Sequence, residues 1–155
     1  MKLNKLMFRE YDIRGIWNED ITEEVSYYIG RAYATKLLSL KKNKMIVGYD
    51  NRLSSPIIEK NLVKGLTDGG VDVVRLGLVT TPMYYYAWDK LNIHCGIMIT
   101  ASHNPKEYNG FKMSYNGIHN CFGNEVAELY YIILNGIYSK GNGSITDAKK
   151  IILRW

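Results

Sequence analysis

One short polar segment, residues 100–105 (TASHNP), combines side chains that could do chemistry. It places the hydroxyl of Ser102, the imidazole of His103 and the carboxamide of Asn104 in consecutive positions. The apolar run at residues 94–99 precedes it and predicts a short buried strand, and the Asn-Pro pair ends regular structure. A serine at the carboxyl end of a buried strand is a common catalytic position in α/β proteins. By itself, the segment also fits an ordinary polar turn.

A serine hydrolase is the first activity that a Ser–His pair suggests, but the pattern fits it poorly. Adjacent residues on a loop rarely form the hydrogen bond that a triad needs, and the sequence has no Gly-x-Ser-x-Gly elbow. A nucleophilic or phosphate-carrying serine instead needs nearby cations and a partner for proton transfer. The sequence offers His103, Lys112, Arg14 and the polar segment 50–52 (DNR) as candidates near Ser102.

Strands and helices are predicted to alternate along the chain, with Thr22, Ser55 and Thr81 as the expected helix N-caps. The predicted strands span residues 45–49, 71–78, 94–99 and 109–115, and the predicted helices span about 23–40, 57–68, 83–91 and 123–138. Two Asn-Gly pairs, at 109–110 and 116–117, predict turns on either side of the last strand.

This alternation predicts a three-layer α/β/α fold with a mixed, mostly parallel sheet of about four strands plus an N-terminal ribbon at residues 6–17. The strand at 109–115 follows too short a connection for a crossover, so we expect it to run antiparallel to its neighbour. The carboxyl ends of the parallel strands then share one edge, which brings the segment 50–52 beside Ser102. We expect Asp50 and Arg52 to form an ion pair there.

The chain has 155 residues, enough for one domain with a real core. We place this domain at residues 1–144. Residues 145–155 are interpreted as a tail or a linker towards downstream domains.

Composition and charge exclude several classes of function. The net charge is +5, but the basic residues are scattered and no nucleic-acid-binding module is visible, so we expect no nucleic-acid partner. No apolar stretch is long enough for a membrane span or a signal peptide, which predicts a cytoplasmic protein without a membrane partner. Cys95 and Cys121 do not make a disulfide framework. A zinc site is disfavoured because His94 and Cys95, as neighbours on a strand, point to opposite faces.

Four motifs occur in an order and spacing that resemble the first domain of the α-D-phosphohexomutases, the phosphomannomutase and phosphoglucomutase group. They are residues 8–15 (FREYDIRG), 48–55 (GYDNRLSS), 100–105 (TASHNP) and 109–112 (NGFK). The resemblance covers essentially residues 6–140. One motif alone would be a weak signal, whereas the set is specific.

The resemblance implies an intramolecular phosphotransferase that interconverts hexose 1-phosphates and 6-phosphates of glucose or mannose. Ser102 matches the active serine, which is phosphorylated in the working enzyme and passes its phosphoryl group to the sugar through a bisphosphate intermediate. A Mg²⁺ ion contacts this phosphoserine, so Ser102 is also the implied metal contact through its phosphate. Such an ion neutralises charge on the transferred group.

The resemblance also implies roles for the side chains around the serine. Lys112 and Arg14 match positions that stabilise charge or take part in proton transfer, and both would contact substrate. His103 matches the residue beside the active serine. Tyr11 and Asn104 match positions near the substrate.

Members of the family have four domains, and this sequence resembles only the first. It contains no Asp-Gly-Asp-Gly-Asp loop, which the family uses to bind the metal. We therefore expect the main Mg²⁺ ligands on a downstream domain of the same enzyme and little activity from this chain alone. The alternative is a non-catalytic module that binds phosphate or phosphosugars.

Overall fold

A six-stranded mixed sheet runs through the middle of the protein. The structure, a computed structural model, describes residues 1–148 and residue 150. The strands are β1 (Ile13–Ile16), β2 (Lys44–Tyr49), β3 (Asp72–Leu78), β4 (Gly96–Ile99), β5 (Tyr108–Ser114) and β6 (Ile145–Asp147). They lie in the order β1-β5-β4-β2-β3-β6.

The sheet has a parallel half and an antiparallel half. Strand β2 pairs in parallel with β3 and β4, and β3 pairs in parallel with β6. Strand β5 runs antiparallel to β4 and to β1. The predicted mixed sheet and the antiparallel direction of β5 are confirmed.

The sheet has more strands than predicted because both ends of the domain join it. The N-terminal ribbon contributes β1 at one edge, and residues 145–147 of the predicted tail contribute β6 at the other. The rest of that tail, apart from residues 148 and 150, lies outside the described residues. The domain boundary at residue 144 stays a prediction.

Four helices complete the three layers: α1 (Glu23–Ser39), α2 (Ser55–Asp68), α3 (Thr81–Leu91) and α4 (Asn124–Asn135). A large apolar cluster joins α1, α2 and α4 to one face of the sheet. A smaller cluster under α3, which contains Tyr84 and Trp88, covers the other face. The predicted α/β/α architecture is therefore confirmed. No helix within the described residues has the length and apolar character needed to cross a membrane.

Two of the predicted helix caps are wrong by one residue. Thr22 caps α1 as predicted, through its side-chain oxygen. Helix α2, however, begins at Ser55 and has Ser54 as its N-cap, because the Ser55 hydroxyl donates to Asp50 instead of capping. Thr80, not Thr81, caps α3 by accepting a hydrogen bond from the N–H of Met83 at 3.3 Å.

Helix α4 ends at Asn135 instead of continuing to residue 138. Gly136 follows with φ +69°, a left-handed conformation that ends a helix.

Helices α1 and α2 approach so closely that each needs a glycine at the contact. A Cβ atom on Gly65 would lie 2.0 Å from the carbonyl oxygen of Tyr27, and one on Gly30 would lie 2.3 Å from that of Leu62. Both contacts involve backbone atoms, which cannot rotate away. The close packing of the two helices therefore depends on these glycines.

We predict that Gly65→Ala destabilises the fold although alanine is the better helix former. Forcing the helices apart should lower the free energy of unfolding by about 1–3 kcal/mol, the usual range for overpacking. Urea denaturation checks this, with Lys60→Ala on the exposed face of the same helix as the control. A Gly65→Ala variant as stable as the control would show that the contact relaxes freely.

Candidate functional site

The segment between β4 and β5 together with the first residue of β5, residues 100–108, is called the serine loop below. Ser102 is exposed on it and has a left-handed backbone with φ +53°. This conformation is uncommon for a residue with a side chain, and such strain concentrates at functional sites. The N–H of Ser102 donates to the Thr100 hydroxyl at 3.0 Å, and the N–H of Asn104 donates to the carbonyl of Ala101 at 3.0 Å. The loop therefore has a defined shape.

The guanidinium of Arg52 lies against the backbone of the serine loop. Its Nε donates to the Asp50 carboxylate at 3.3 Å, which confirms the predicted ion pair. Its two Nη atoms donate to carbonyl oxygens of the loop. These oxygens belong to Ser102 (3.1 Å), Asn104 (2.8 Å), Pro105 (2.7 Å) and Tyr108 (3.1 Å).

A buried asparagine joins β5 to the segment that carries Arg52. Asn109 is fully buried, and its Nδ2 donates to the hydroxyls of Ser54 at 2.8 Å and Ser55 at 3.0 Å. The Ser55 hydroxyl in turn donates to Asp50 at 2.8 Å. Hydrogen bonds among buried polar groups fix geometry because unpaired groups would be costly. The network thus locks the ends of β2 and β5 together.

The prediction of a turn at Asn109-Gly110 is wrong, because both residues lie inside β5. A Cβ on Gly110 would lie 2.4 Å from the carbonyl oxygen of Ile13, so the glycine allows β1 to approach β5. Sequence reasoning missed the structural role of Asn109. The available signal was its place next to an apolar strand, where a polar residue needs partners.

Arg14 contacts the serine loop from β1. Its Nη1 donates to Oδ1 of Asn104 at 2.5 Å, and its other amino group pairs with Asp12. Its side chain is 15% exposed, and its Nε is buried without a hydrogen-bond partner among the described residues. The structure therefore brings two of the predicted site residues, Arg14 and Asn104, into direct contact.

Arg14 and Lys112 lie on the same face of the sheet. Arg14 is opposite Gly110 in the register of β1 and β5, and Lys112 is two residues further along β5. Both side chains line a cavity of about 410 Å³ together with Tyr11, which is 69% exposed. Its remaining lining residues are Arg9, Glu10 and Asp12. This volume is within the usual range of small-ligand pockets.

A second cavity, of about 300 Å³, joins the cations to the serine loop. Arg9 and Arg14 line both cavities, and Asn104 and Tyr108 of the loop line the second. In each cavity the cations exceed the carboxylates by one, three to two in the first (with Glu10 and Asp12) and two to one in the second (with Asp20). This excess of positive charge favours an anionic ligand.

Ser102 and His103 line neither of these two cavities. Both are exposed on the loop, and His103 makes no hydrogen bond to Ser102 within the described part of the chain. A triad base would need that bond, so the geometry does not favour a serine hydrolase.

Within the described residues, no group of three or more His, Cys, Asp or Glu side chains is arranged to hold a metal ion. The polar partners of the serine loop are the cations Arg52 and Arg14 and neutral groups such as Thr100. These residues do not fit a complete Mg²⁺ site by themselves. The magnesium stays a prediction that rests on the resemblance.

The two cysteines are buried and far less reactive than free thiols. Burial raises the pKa of Cys121 to about 12, with a further contribution from Glu125. Burial also raises the pKa of Cys95, whose Sγ contacts the carbonyl of Tyr115 at 3.2 Å. Neither thiol is a nucleophile at neutral pH.

The fold and the site together define an α/β/α domain that presents an exposed serine on a loop bordering a cluster of cations. Residues 5–136 match the family described as phosphoglucomutase/phosphomannomutase, alpha/beta/alpha domain I. The chain belongs to this family.

Relatives of this chain include two named bacterial enzymes. A phosphoglucomutase from Neisseria gonorrhoeae is 40% identical over 143 residues, which cover 91% of this chain and 31% of that protein. A phosphomannomutase/phosphoglucomutase from Pseudomonas syringae pv. tomato is 41% identical over 142 residues, which cover 91% of this chain and 30% of that protein. The chain thus spans about a third of the length of these relatives.

A solved structure shares the fold. A phosphoglucomutase/phosphomannomutase family protein from Burkholderia thailandensis superposes with a TM-score of 0.89 at 33% identity. The match covers 94% of this chain and 33% of that one.

We predict that Asn109→Ala weakens the domain by removing the donors to two buried hydroxyls. Leaving buried polar groups unpaired costs about 1–3 kcal/mol each, so the free energy of unfolding should fall by at least that range. Denaturant unfolding measures it, with Asn61→Ala on α2 as the control, because the Asn61 side chain makes an exposed hydrogen bond to the carbonyl of Ile57 in its own helix. Equal stability of the two variants would contradict the proposed lock.

Proposed function

We propose that this chain is the serine-bearing domain of a hexose-phosphate mutase and that Ser102 carries the phosphoryl group. The hydrogen bond between Arg14 and Asn104 is the observation that carries this proposal. This hydrogen bond connects the serine loop to the cavity that Arg14 and Lys112 line. A phosphoserine on the loop would thus have cations beside it. The relatives, a phosphoglucomutase and a phosphomannomutase/phosphoglucomutase, support hexose phosphates as the proposed substrate class.

The proposed reaction is two successive phosphoryl transfers. In the first, the bond between phosphorus and the Ser102 oxygen breaks while phosphorus bonds to the free C1 or C6 hydroxyl oxygen of the hexose phosphate. The hydroxyl loses its proton, and the serine oxygen ends protonated. In the second, the bisphosphate turns over and returns its other phosphoryl group to Ser102. The net result is the isomeric hexose phosphate with the phosphoserine restored.

The residues around the loop have separate roles in this proposal. Arg14 and Lys112 stabilise the charge of the phosphoryl oxygens, since such transfers depend mainly on positioning and electrostatics. Asn104 holds Arg14 and borders the substrate space, and Tyr11 contacts the sugar from the rim of the cavity. His103, exposed beside Ser102, is proposed as an auxiliary donor to the transferred group.

The rest of the proposed enzyme lies outside this chain. The chain spans about a third of its relatives, so we propose that downstream domains close over the substrate and supply the main Mg²⁺ ligands. No step above is assigned to the metal. The isolated chain is then expected to be inactive. The alternative, a phosphosugar-binding module without turnover, is motivated by the incomplete metal site.

We predict that the natural gene product takes up label from glucose bisphosphate at Ser102 and at no other residue. Phosphopeptide mapping after incubation with the labelled bisphosphate measures this. Ser102→Ala should abolish the label, whereas Ser39→Ala, an exposed serine at the end of α1, should leave it unchanged.

Label on another residue, with Ser102 unmodified, would overturn the proposal. The binding-module alternative would be favoured by micromolar binding of glucose 1-phosphate to this chain in calorimetry, together with no label on Ser102. The two functions therefore give different results.

We predict that Lys112→Met in the natural gene product lowers kcat much more than it raises KM. Removing a group that stabilises transition-state charge costs about 2.7–4 kcal/mol by analogy with oxyanion-hole donors. Steady-state kinetics with glucose 1-phosphate and mannose 1-phosphate test this. The control is Lys106→Met, an exposed lysine on the serine loop itself. Unchanged turnover in Lys112→Met would exclude the proposed role.

A further inference from the structure

We propose that Arg52 is a positioning residue for phosphoryl transfer: it holds the serine loop in shape so that Ser102 keeps its left-handed conformation. This inference rests on the proposed function of Ser102. It goes beyond the predicted ion pair, which would only join Arg52 to Asp50.

The hydrogen bonds of Arg52 use every N–H donor of its guanidinium. Nη1 donates to the carbonyls of Pro105 and Tyr108, Nη2 donates to those of Ser102 and Asn104, and Nε donates to Asp50. No donor is left for a phosphate. Arg52 is therefore a ligand of the loop and not of the substrate.

The contacts of Arg52 act directly on the conformation of the serine. The carbonyl of Ser102 accepts from Nη2, while the N–H of Ser102 donates to the Thr100 hydroxyl. Hydrogen bonds thus hold the peptide groups on both sides of the left-handed Cα. The other carbonyls that accept from Arg52 lie further along the same loop. The Arg52 side chain therefore connects both the middle and the end of the loop to the edge of the sheet.

Arg52 is itself held rigidly. Asp50 Oδ1 accepts from the Arg52 backbone N–H at 3.1 Å and from the Ser55 hydroxyl at 2.8 Å, and Oδ2 accepts from Nε. The side chain of Arg52 is only 12% exposed. Because no N–H donor of Arg52 is left for a phosphate, its contribution to the site is geometric.

The test uses Arg52→Gln and Arg52→Lys in the natural gene product. Misplacing a catalytic group by about 1 Å can cost about 100-fold in rate, so kcat should fall by about that factor while KM stays unchanged. Lysine should not rescue kcat, because its ammonium lacks the planar fork that reaches several carbonyls. Arg31→Gln is the matched control: it removes an arginine of α1 that donates to the Tyr27 hydroxyl and the Ser139 carbonyl and makes no contact with the serine loop among the described residues.

Hydrogen–deuterium exchange provides a readout that does not depend on activity. In both Arg52 variants the amides of Ser102, Asn104 and Tyr108 should exchange faster by about tenfold, the effect of one lost hydrogen bond. Amides of α1 should not change. If Arg52→Gln does not fold, Arg52→Lys and the rescue of Arg52→Ala by added guanidinium replace it.

Two results would overturn the inference. One is unchanged exchange of the loop in a folded Arg52 variant, and the other is a raised KM at unchanged kcat, which would make Arg52 a substrate ligand. If the proposed function is wrong, the protein without substitutions takes up no label on Ser102. The exchange experiment still reports on the loop in that case, so the two failures are distinguishable.

Discussion

The carbonyl groups of the serine loop impose the constraint on which this site depends. The loop leaves the sheet after β4 and returns at once as the antiparallel β5, so its peptide groups cannot all pair within the sheet. These groups need partners from elsewhere, either water or a side chain. Arg52 supplies them from the segment that follows β2, the parallel neighbour of β4. The loop that presents Ser102 therefore takes its shape from a different part of the chain.

The two halves of the sheet contribute different components of the site. In the parallel half, the carboxyl ends of β2 and β4 meet at one edge and bring Arg52 to the serine loop. In the antiparallel half, β1 and β5 place Arg14 and Lys112 on one face beside the same loop. The absence of a side chain at Gly110 permits the close approach of β1. The mixed sheet thus brings cations to the serine loop from two directions, Arg52 from the parallel half and Arg14 from the antiparallel half.

The periodic apolar pattern of the sequence predicted the architecture well. The polar residues predicted local features, the helix caps and turns, less well. Alternating apolar patterns gave the layers and the shared edge of Asp50 and Ser102, and the short connection after β4 gave the direction of β5. The Ser55 hydroxyl donates to Asp50 instead of capping α2, and the Asn109 amide nitrogen donates to Ser54 and Ser55 from inside β5, so neither side chain plays the local role predicted for it. Contacts from Arg52 to carbonyls have no sequence signature, because every residue carries a carbonyl. The resemblance named Ser102, Arg14 and Lys112, but it did not reveal how the loop is held.

The arginines of the site differ in how many N–H donors remain free, and this difference separates their roles. Arg52 has none, since carbonyls and Asp50 take them all. Arg14 keeps a buried Nε without a partner among the described residues, and its amino groups lie against Asp12 and Asn104 beside the cavity. A buried donor without a partner is costly unless a ligand or water satisfies it. Arg14 therefore has an N–H donor for which an anion can be the partner, whereas Arg52 has none. Under the proposed function, attraction of the phosphoryl group is assigned to Arg14 and control of the serine backbone to Arg52.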